Sequence, residues 1–207
     1  MDNASRSERS RNAVIQAALT IIARDGPGQL TLDAIARESG LSKGGLTHQF
    51  PSKVAVLKAL LEYQVAHFEA FSSDYKTKAA KRSAQPELAA QIATSHQAIV
   101  EPHSVAFALL AALAEDPSLL AAPRAIDARN VEVIKQEAAD PDLALLRWSA
   151  ARGLALTAMF GFCPFSESER ERLFSRLLDD AQWTGLEQAA KPAAAAGEPR
   201  VRATRRR

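Results

Sequence analysis

Apolar residues recur every three or four positions through most of this chain, the period of a helix with one buried face. Val14, Ala17, Ala18, Ile21 and Ile22 predict a helix over 9–24. Asp25-Gly26-Pro27-Gly28 ends it, because two glycines and a proline interrupt the backbone ladder. Leu32, Ile35 and Ala36 mark a short helix over 32–39 with Thr31 as its cap, and Gly40 supplies the permissive backbone of a tight turn. A second short helix is capped by Ser42, anchored inward by Leu46, and runs to about residue 49. Pro51-Ser52 opens a long helix over 53–75 whose buried stripe is Leu57, Leu60, Leu61, Val65, Phe68 and Phe71.

The polar, basic stretch 76–85 reads as a loop, and Pro86 suits the first turn of a helix over 87–100. Helices over 103–115 and 119–139 follow, separated by Asp116-Pro117. Asp140-Pro141-Asp142 is a helix start, with Asp140 as cap, ahead of a helix over 142–160. Ser166 and Glu169 form a capping box for a last helix over 167–186. Beyond it the chain turns Ala/Pro-rich and then arginine-rich, without apolar period, so 191–207 reads as a disordered basic tail. About nine helices and no strand predict an all-α protein. The expected organisation is a small head over 1–52, with 1–8 disordered, and a larger helical body over 53–190.

Composition narrows the class. An apolar fraction of 47% and a charged fraction of 24% over 207 residues bury a core without a disulfide or metal staple. The single cysteine, Cys163, has no partner for an internal bridge, and no spacing suggests zinc. The longest apolar run, 105–114, is about half of a membrane span, and residues 1–11 are polar rather than signal-like. The expectation is a cytoplasmic protein with no membrane association. Residues 1–60 hold eight Lys/Arg against five Asp/Glu, 61–190 hold twelve against eighteen, and 191–207 hold six against one. A basic head on an acidic body suits a head that meets a polyanion.

The informative segment is Thr31-Leu32-Asp33-Ala34-Ile35-Ala36-Arg37-Glu38-Ser39-Gly40-Leu41-Ser42-Lys43-Gly44-Gly45-Leu46-Thr47-His48-Gln49-Phe50-Pro51-Ser52-Lys53. Short helix, glycine turn, short helix fits both a capped helical hairpin and a helix-turn-helix, whose second helix enters the major groove. Two glycines at the start of that second helix weaken it by about 1 kcal/mol each but let its backbone approach DNA closely.

The same residues resemble the N-terminal region of TetR/AcrR-type transcriptional regulators. The matching positions are Ala17-Ala18, Ile21, Thr31-Leu32, Ile35-Ala36, Gly40-Leu41-Ser42-Lys43-Gly44, Leu46, Phe50-Pro51-Ser52-Lys53 and Leu57. The resemblance covers about residues 9–60 and implies that Thr31 and Lys53 bind phosphate. It further implies that Ser42, Lys43, Gly44, Gly45, Thr47 and His48 face the groove, with Gln49 beside them. The family usually carries tyrosine at the position of Thr47 and commonly histidine at that of Gln49. Ile35, Leu46 and Phe50 are expected to hold the two short helices together.

The resemblance assigns the body a ligand cavity and a homodimer interface. Cavity candidates are Phe68, Phe71, His96, His103, Phe107, Leu110, Trp148, Arg152 and Met159, apolar walls with a few polar anchors. Interface candidates on the last two long helices are Leu156, Leu173, Leu177 and Ala181. The four histidines lie on separate segments and form no ligand set, so neither metal nor cofactor is expected. No nucleophile with an oriented base points to an enzyme. The expected partners are therefore double-stranded operator DNA, a second copy of the chain and an unidentified small-molecule effector. The expected activity is repression relieved by that effector. The alternative is a helical small-molecule-binding or interaction protein that does not bind DNA specifically.

Overall fold

A computed structural model describes residues 3–100, 113 and 116–189, with side chains over 7–100, at 113 and over 116–186. The described residues form α1 (Asn3–Asp25), α2 (Leu32–Ser39), α3 (Lys43–Gln49), α4 (Lys53–Ala79), α5 (Pro86–Val100), α6 (Ala121–Glu137), α7 (Pro141–Met159), α8 (Glu167–Leu178) and α9 (Ala181–Ala189). Short 3-10 turns at Pro27–Gln29 and Pro117–Leu120 complete them, and no strand occurs among the described residues.

The capping chemistry read from the sequence starts the helices. The Ala34, Gly45 and Ala55 N–H groups donate to the side chains of Thr31, Ser42 and Ser52, at 3.1, 3.2 and 3.2 Å. Asp140 accepts from Leu143 N–H at the start of α7, and Ser166 and Glu169 complete a reciprocal capping box on α8. Gly40 ends α2 at φ 70°, the left-handed region that favours glycine.

Two cores result. The first gathers Val14, Ala18, Ile21 and Ile22 of α1, Ile35 of α2, Leu46 of α3, and Val56, Leu57 and Leu60 of α4, with Leu30 and Phe50 closing it. Each fully buried aliphatic side chain there contributes roughly 1.5–3 kcal/mol. Leu119 belongs to the same core and Leu113 packs against it, so the segment before α6 touches the head. The second core joins Leu88 and Ile92 of α5, Ile134 of α6, Ala144, Ala151 and Ala155 of α7, and Phe174 and Leu177 of α8. The helix α5 runs through the middle of this body, packed on α4, α6, α7 and α8.

Three elements differ from the sequence reading. First, α1 begins at Asn3 rather than residue 9, so 3–8 is helical and not disordered. A tertiary bond supports this polar turn: the Gln49 side-chain amide donates to the Ser7 carbonyl at 3.0 Å. Second, α4 continues to Ala79 through the segment read as a loop. Its polar last turns are held by Lys78 on Asp74, by the Thr77 hydroxyl on the Ser73 carbonyl, and by Lys76 on Glu87.

Third, the last helix is broken at Asp179-Asp180 into α8 and α9. The cause is Arg147, which is only 2% exposed. Its guanidinium donates to the Leu177 carbonyl at 2.7 Å and to Asp180 Oδ1 at 2.8 Å, taking an acceptor that a continuing helix needs. Ser83 donates to the other Asp180 oxygen, and the Trp183 ring lies 5.3 Å from the guanidinium. The expected helix over 103–115, apart from residue 113, and the tail over 191–207 lie outside the described residues.

Candidate nucleic-acid interface and ligand cavity

The helix α3 divides sharply between its two sides. Leu46 is fully buried and Phe50 is 2% exposed, whereas Ser42, Lys43, Gly44, Gly45 and His48 are exposed. A single inward anchor thus turns the glycine-bearing edge to solvent. A Cβ built on Gly44 meets nothing within 4 Å, while one on Gly45 comes within 3.2 Å of Ser42 Oγ, the cap of its own helix. Thr31 and Lys53 are exposed at the starts of α2 and α4, so three capped helix N-termini carry the candidate contacts.

Besides the capping oxygens of Thr31 and Ser42, three of the candidate polar groups have partners within the protein. Lys43 Nζ lies 2.8 Å from Asp33 Oδ1 on α2. That hydrogen bond and charge hold the Asp33 carboxyl below the usual aspartate range. The Thr47 hydroxyl donates to the Lys43 carbonyl at 2.9 Å, inside its own helix. The half-buried Gln49 points away from its neighbours toward α1, where it binds Ser7. Sequence reasoning placed Lys43 and Gln49 on the exposed side but had no signal for Asp33 or Ser7, because both pairings depend on how the helices cross.

In the body, α4, α5, α6 and α7 line a cavity of about 500 Å³ that is partly open to solvent. Of the described candidates, Phe68 and Arg152 line it. Arg152 Nη1 donates to Asp127 at 2.7 Å and its guanidinium stacks 4.8 Å from the Trp148 ring. Phe71 packs beside Tyr75 instead, and His96 sits 2.8 Å from Glu171 and against Phe174. Trp148 packs on the second core, and Met159 is half-buried at the end of α7. His103, Phe107 and Leu110 lie outside the described residues.

The expectation of mainly apolar walls missed a dense set of polar side chains: Gln64, Ser72, Gln91, Thr94, Ser95 and Asn130. A signal for them was present. Gln64 lies one turn before Phe68 of the apolar stripe, and Gln91 and Ser95 are one turn apart, so polar residues fall at helical spacing on inward faces.

Of the interface candidates, Leu156 is 47% exposed and also lines the cavity, Leu173 is half-buried and Ala181 is exposed, whereas Leu177 is 7% exposed inside the chain's own core. Gly153, Leu154, Phe165 and Leu173 border an apolar groove of about 450 Å³ between α7 and α8, and Leu146, Phe162 and Phe165 are large exposed apolar side chains of the same body. Among the described residues, no three His, Cys, Asp or Glu side chains converge on a metal site, and no helix is long and apolar enough to cross a membrane.

Comparison with known proteins matches both units. Residues 14–60 fit the model of the family "Bacterial regulatory proteins, tetR family", and residues 85–182 fit "Tetracyclin repressor-like, C-terminal domain". The HTH-type transcriptional regulator SrpR of Pseudomonas putida is 38% identical over 58 residues, which are 28% of this chain and 27% of that protein. The match therefore spans about a quarter of that relative's length. A solved structure from Rhodococcus sp., assigned to the TetR family, superposes with a TM-score of 0.60 at 21% identity, covering 87% of this chain and 97% of that one. The TetR-like regulator LfrR of Mycobacterium smegmatis, solved with proflavine, superposes at 0.52 with 20% identity over 83% and 96%. Two separate family models, one on the helix-turn-helix head and one on the helical body, place this chain in the TetR family of transcriptional regulators.

Proposed function

We propose that the protein binds operator DNA as a homodimer and represses transcription until a small molecule occupies the body cavity. One observation carries the DNA reading. The start of α3 is bare and exposed, while its only buried anchor, Leu46, fixes which edge faces out. Ser42, Lys43 and Gly44 meet base edges or phosphates, and Thr31 and Lys53 set the register on the backbone. Gly45, Thr47 and His48 line the same edge. Gln49 acts indirectly, by holding α1 against α3. Two heads on a two-fold axis read a near-palindromic site.

The second copy packs on the α7 and α8 face, where Leu173 borders the apolar groove and Ala181 is exposed, with the exposed Leu156 shared between this face and the cavity wall. The effector enters the cavity of α4 to α7, lined in part by Phe68 and Arg152. LfrR, a fold relative, was solved with proflavine, which supports a small-molecule ligand for a protein of this fold. The contact of Leu113 and Leu119 with the head core gives the body a physical route to the head. An effector that favours a head spacing unsuited to DNA weakens DNA binding, and DNA weakens the effector by the same factor. The reading assigns no catalysis and no cofactor.

Genomic fragments retained by the purified full-length protein, followed by fluorescence-anisotropy titration of one such fragment, test the reading. The expected result is a two-fold-symmetric site bound more weakly by Lys43→Ala, with affinity falling steeply as salt rises. No enriched sequence, or binding indifferent to Lys43→Ala and to salt, overturns it. That outcome favours a helical binding protein without DNA specificity, a reading to which the internal partners of Thr47 and Gln49 lend support.

A further inference from the structure

The cavity has a chemical bias that its volume does not reveal. The Thr94 hydroxyl donates its proton to the Ala90 carbonyl at 2.8 Å, and the Ser95 hydroxyl donates to the Gln91 carbonyl at 2.9 Å. A hydroxyl has one proton, so both oxygens face any guest as acceptors. The Gln91 amide nitrogen donates to Ser72 Oγ at 3.1 Å and to Glu87 Oε1 at 2.9 Å, which uses both its hydrogens and leaves its carbonyl as an acceptor. Gln64 lines the same space, and its Oε1 is buried without a hydrogen-bond partner. A buried acceptor left unpaired is destabilising, so a turn of the half-buried Gln64 side chain that presents this atom to an incoming donor is favoured.

The cations of the cavity are already committed. Lys76 binds Glu87 at 2.6 Å, Arg129 binds Glu69 at 2.7 Å, and Arg152 binds Asp127 at 2.7 Å. An anionic guest meets the lone pairs of Thr94, Ser95 and Gln91 on α5, and each cation it could reach already faces a carboxylate that repels it. Facing these acceptors are Leu61, Val65, Phe68, Ile126 and Leu156, an apolar wall.

We propose that the cavity selects an uncharged molecule with an apolar, ring-sized body and one or two O–H or N–H donors, read by Gln64 and the spent hydroxyls of Thr94 and Ser95. The proposal rests on the effector reading of the cavity and makes it specific. The test uses three probes of one shape on the full chain without DNA: 2-naphthol, 2-methoxynaphthalene and 2-naphthoate. Isothermal titration is expected to give about tenfold tighter binding of 2-naphthol than of either other probe, the size of one buried hydrogen bond. Gln64→Leu is expected to erase that preference and to raise the melting temperature of the empty protein, because the unpaired acceptor is gone. Thr94→Val is a second variant with the same expected direction on the preference. Tighter binding of 2-naphthoate, equal binding of all three, no binding of any, or a preference untouched by both variants overturns the proposal. If 2-naphthol binds with the expected preference but leaves operator affinity unchanged, the ligand class stands and the effector reading falls.

Discussion

Lys43 Nζ rests 2.8 Å from Asp33 Oδ1, so the only lysine of the recognition helix is already paired with the helix before it. Both side chains are about two-thirds exposed, which makes the pair weak and exchangeable. On the DNA reading proposed above, phosphate competes for the same ammonium. Asp33→Asn is therefore expected to tighten operator binding by about two- to fivefold at low salt. Most of that gain should vanish in a Lys43→Ala background. Lys43→Ala alone should lower the slope of log affinity against log salt by about one. Anisotropy titrations across a potassium chloride series measure both effects. An equal gain from Asp33→Asn with and without Lys43 contradicts the competition.

The bond from Gln49 to the Ser7 carbonyl ties the first turns of α1 to the end of α3. Gln49→Ala is expected to lower the unfolding free energy by about 1 kcal/mol, as for a typical hydrogen bond. Amide exchange should speed up over the first turns of α1 and leave the second core untouched. Fast exchange throughout the head instead points to a wider role for Gln49 than a bracket.

Arg147 is the buried cation of the body, and Asp180 is its only carboxylate partner within ion-pair distance among the described residues. Asp180→Ala should destabilise by about 3 kcal/mol or more, because it leaves a buried charge with the Leu177 carbonyl and the Trp183 ring but no counter-charge. Arg147→Met, which removes the charge along with its need for a partner, should be milder. Urea unfolding followed at Trp183, which lies against Arg147, reads the comparison. A larger loss in Arg147→Met than in Asp180→Ala rejects this ordering.

The capping box at the start of α8 gives a pH signature. Ser166 donates to Glu169 through its hydroxyl at 2.7 Å and its backbone N–H at 2.8 Å, which holds the Glu169 carboxyl below the usual glutamate range. A lowered folded pKa means stability that is present above the unfolded value and lost as pH falls through the folded one. The stability difference between wild type and Glu169→Gln should thus be largest near neutral pH and shrink toward zero in acid. Ser166→Ala should lower stability by about 1 kcal/mol at neutral pH. A difference that grows on acidification contradicts the assignment.

The helices and their caps were legible because both depend on neighbours in sequence. Thr31, Ser42, Ser52, Asp140 and Ser166 each cap the helix that the apolar period announced. The break at Asp179-Asp180 was not legible, because Arg147, some thirty residues earlier, makes it. The exposed edge of α3 follows from the spacing of Leu46 and Phe50, whereas the pairings of Lys43 and Gln49 depend on helix crossings that no local pattern encodes. The cavity was half-read for a related reason. Aromatic stripes mark burial in general, and Phe68 and Phe71, three residues apart, end in different surroundings.

Gly44 stands over open space in an ordinary helical conformation. Nothing in the fold requires a bare position there, and alanine would strengthen the helix by up to about 1 kcal/mol. This position is thus a vacant socket on the reading head. A Cβ at residue 44 meets no neighbour, so on the DNA reading proposed above a small library at this single codon offers a direct route to regulators that recognise altered operators on an unaltered scaffold.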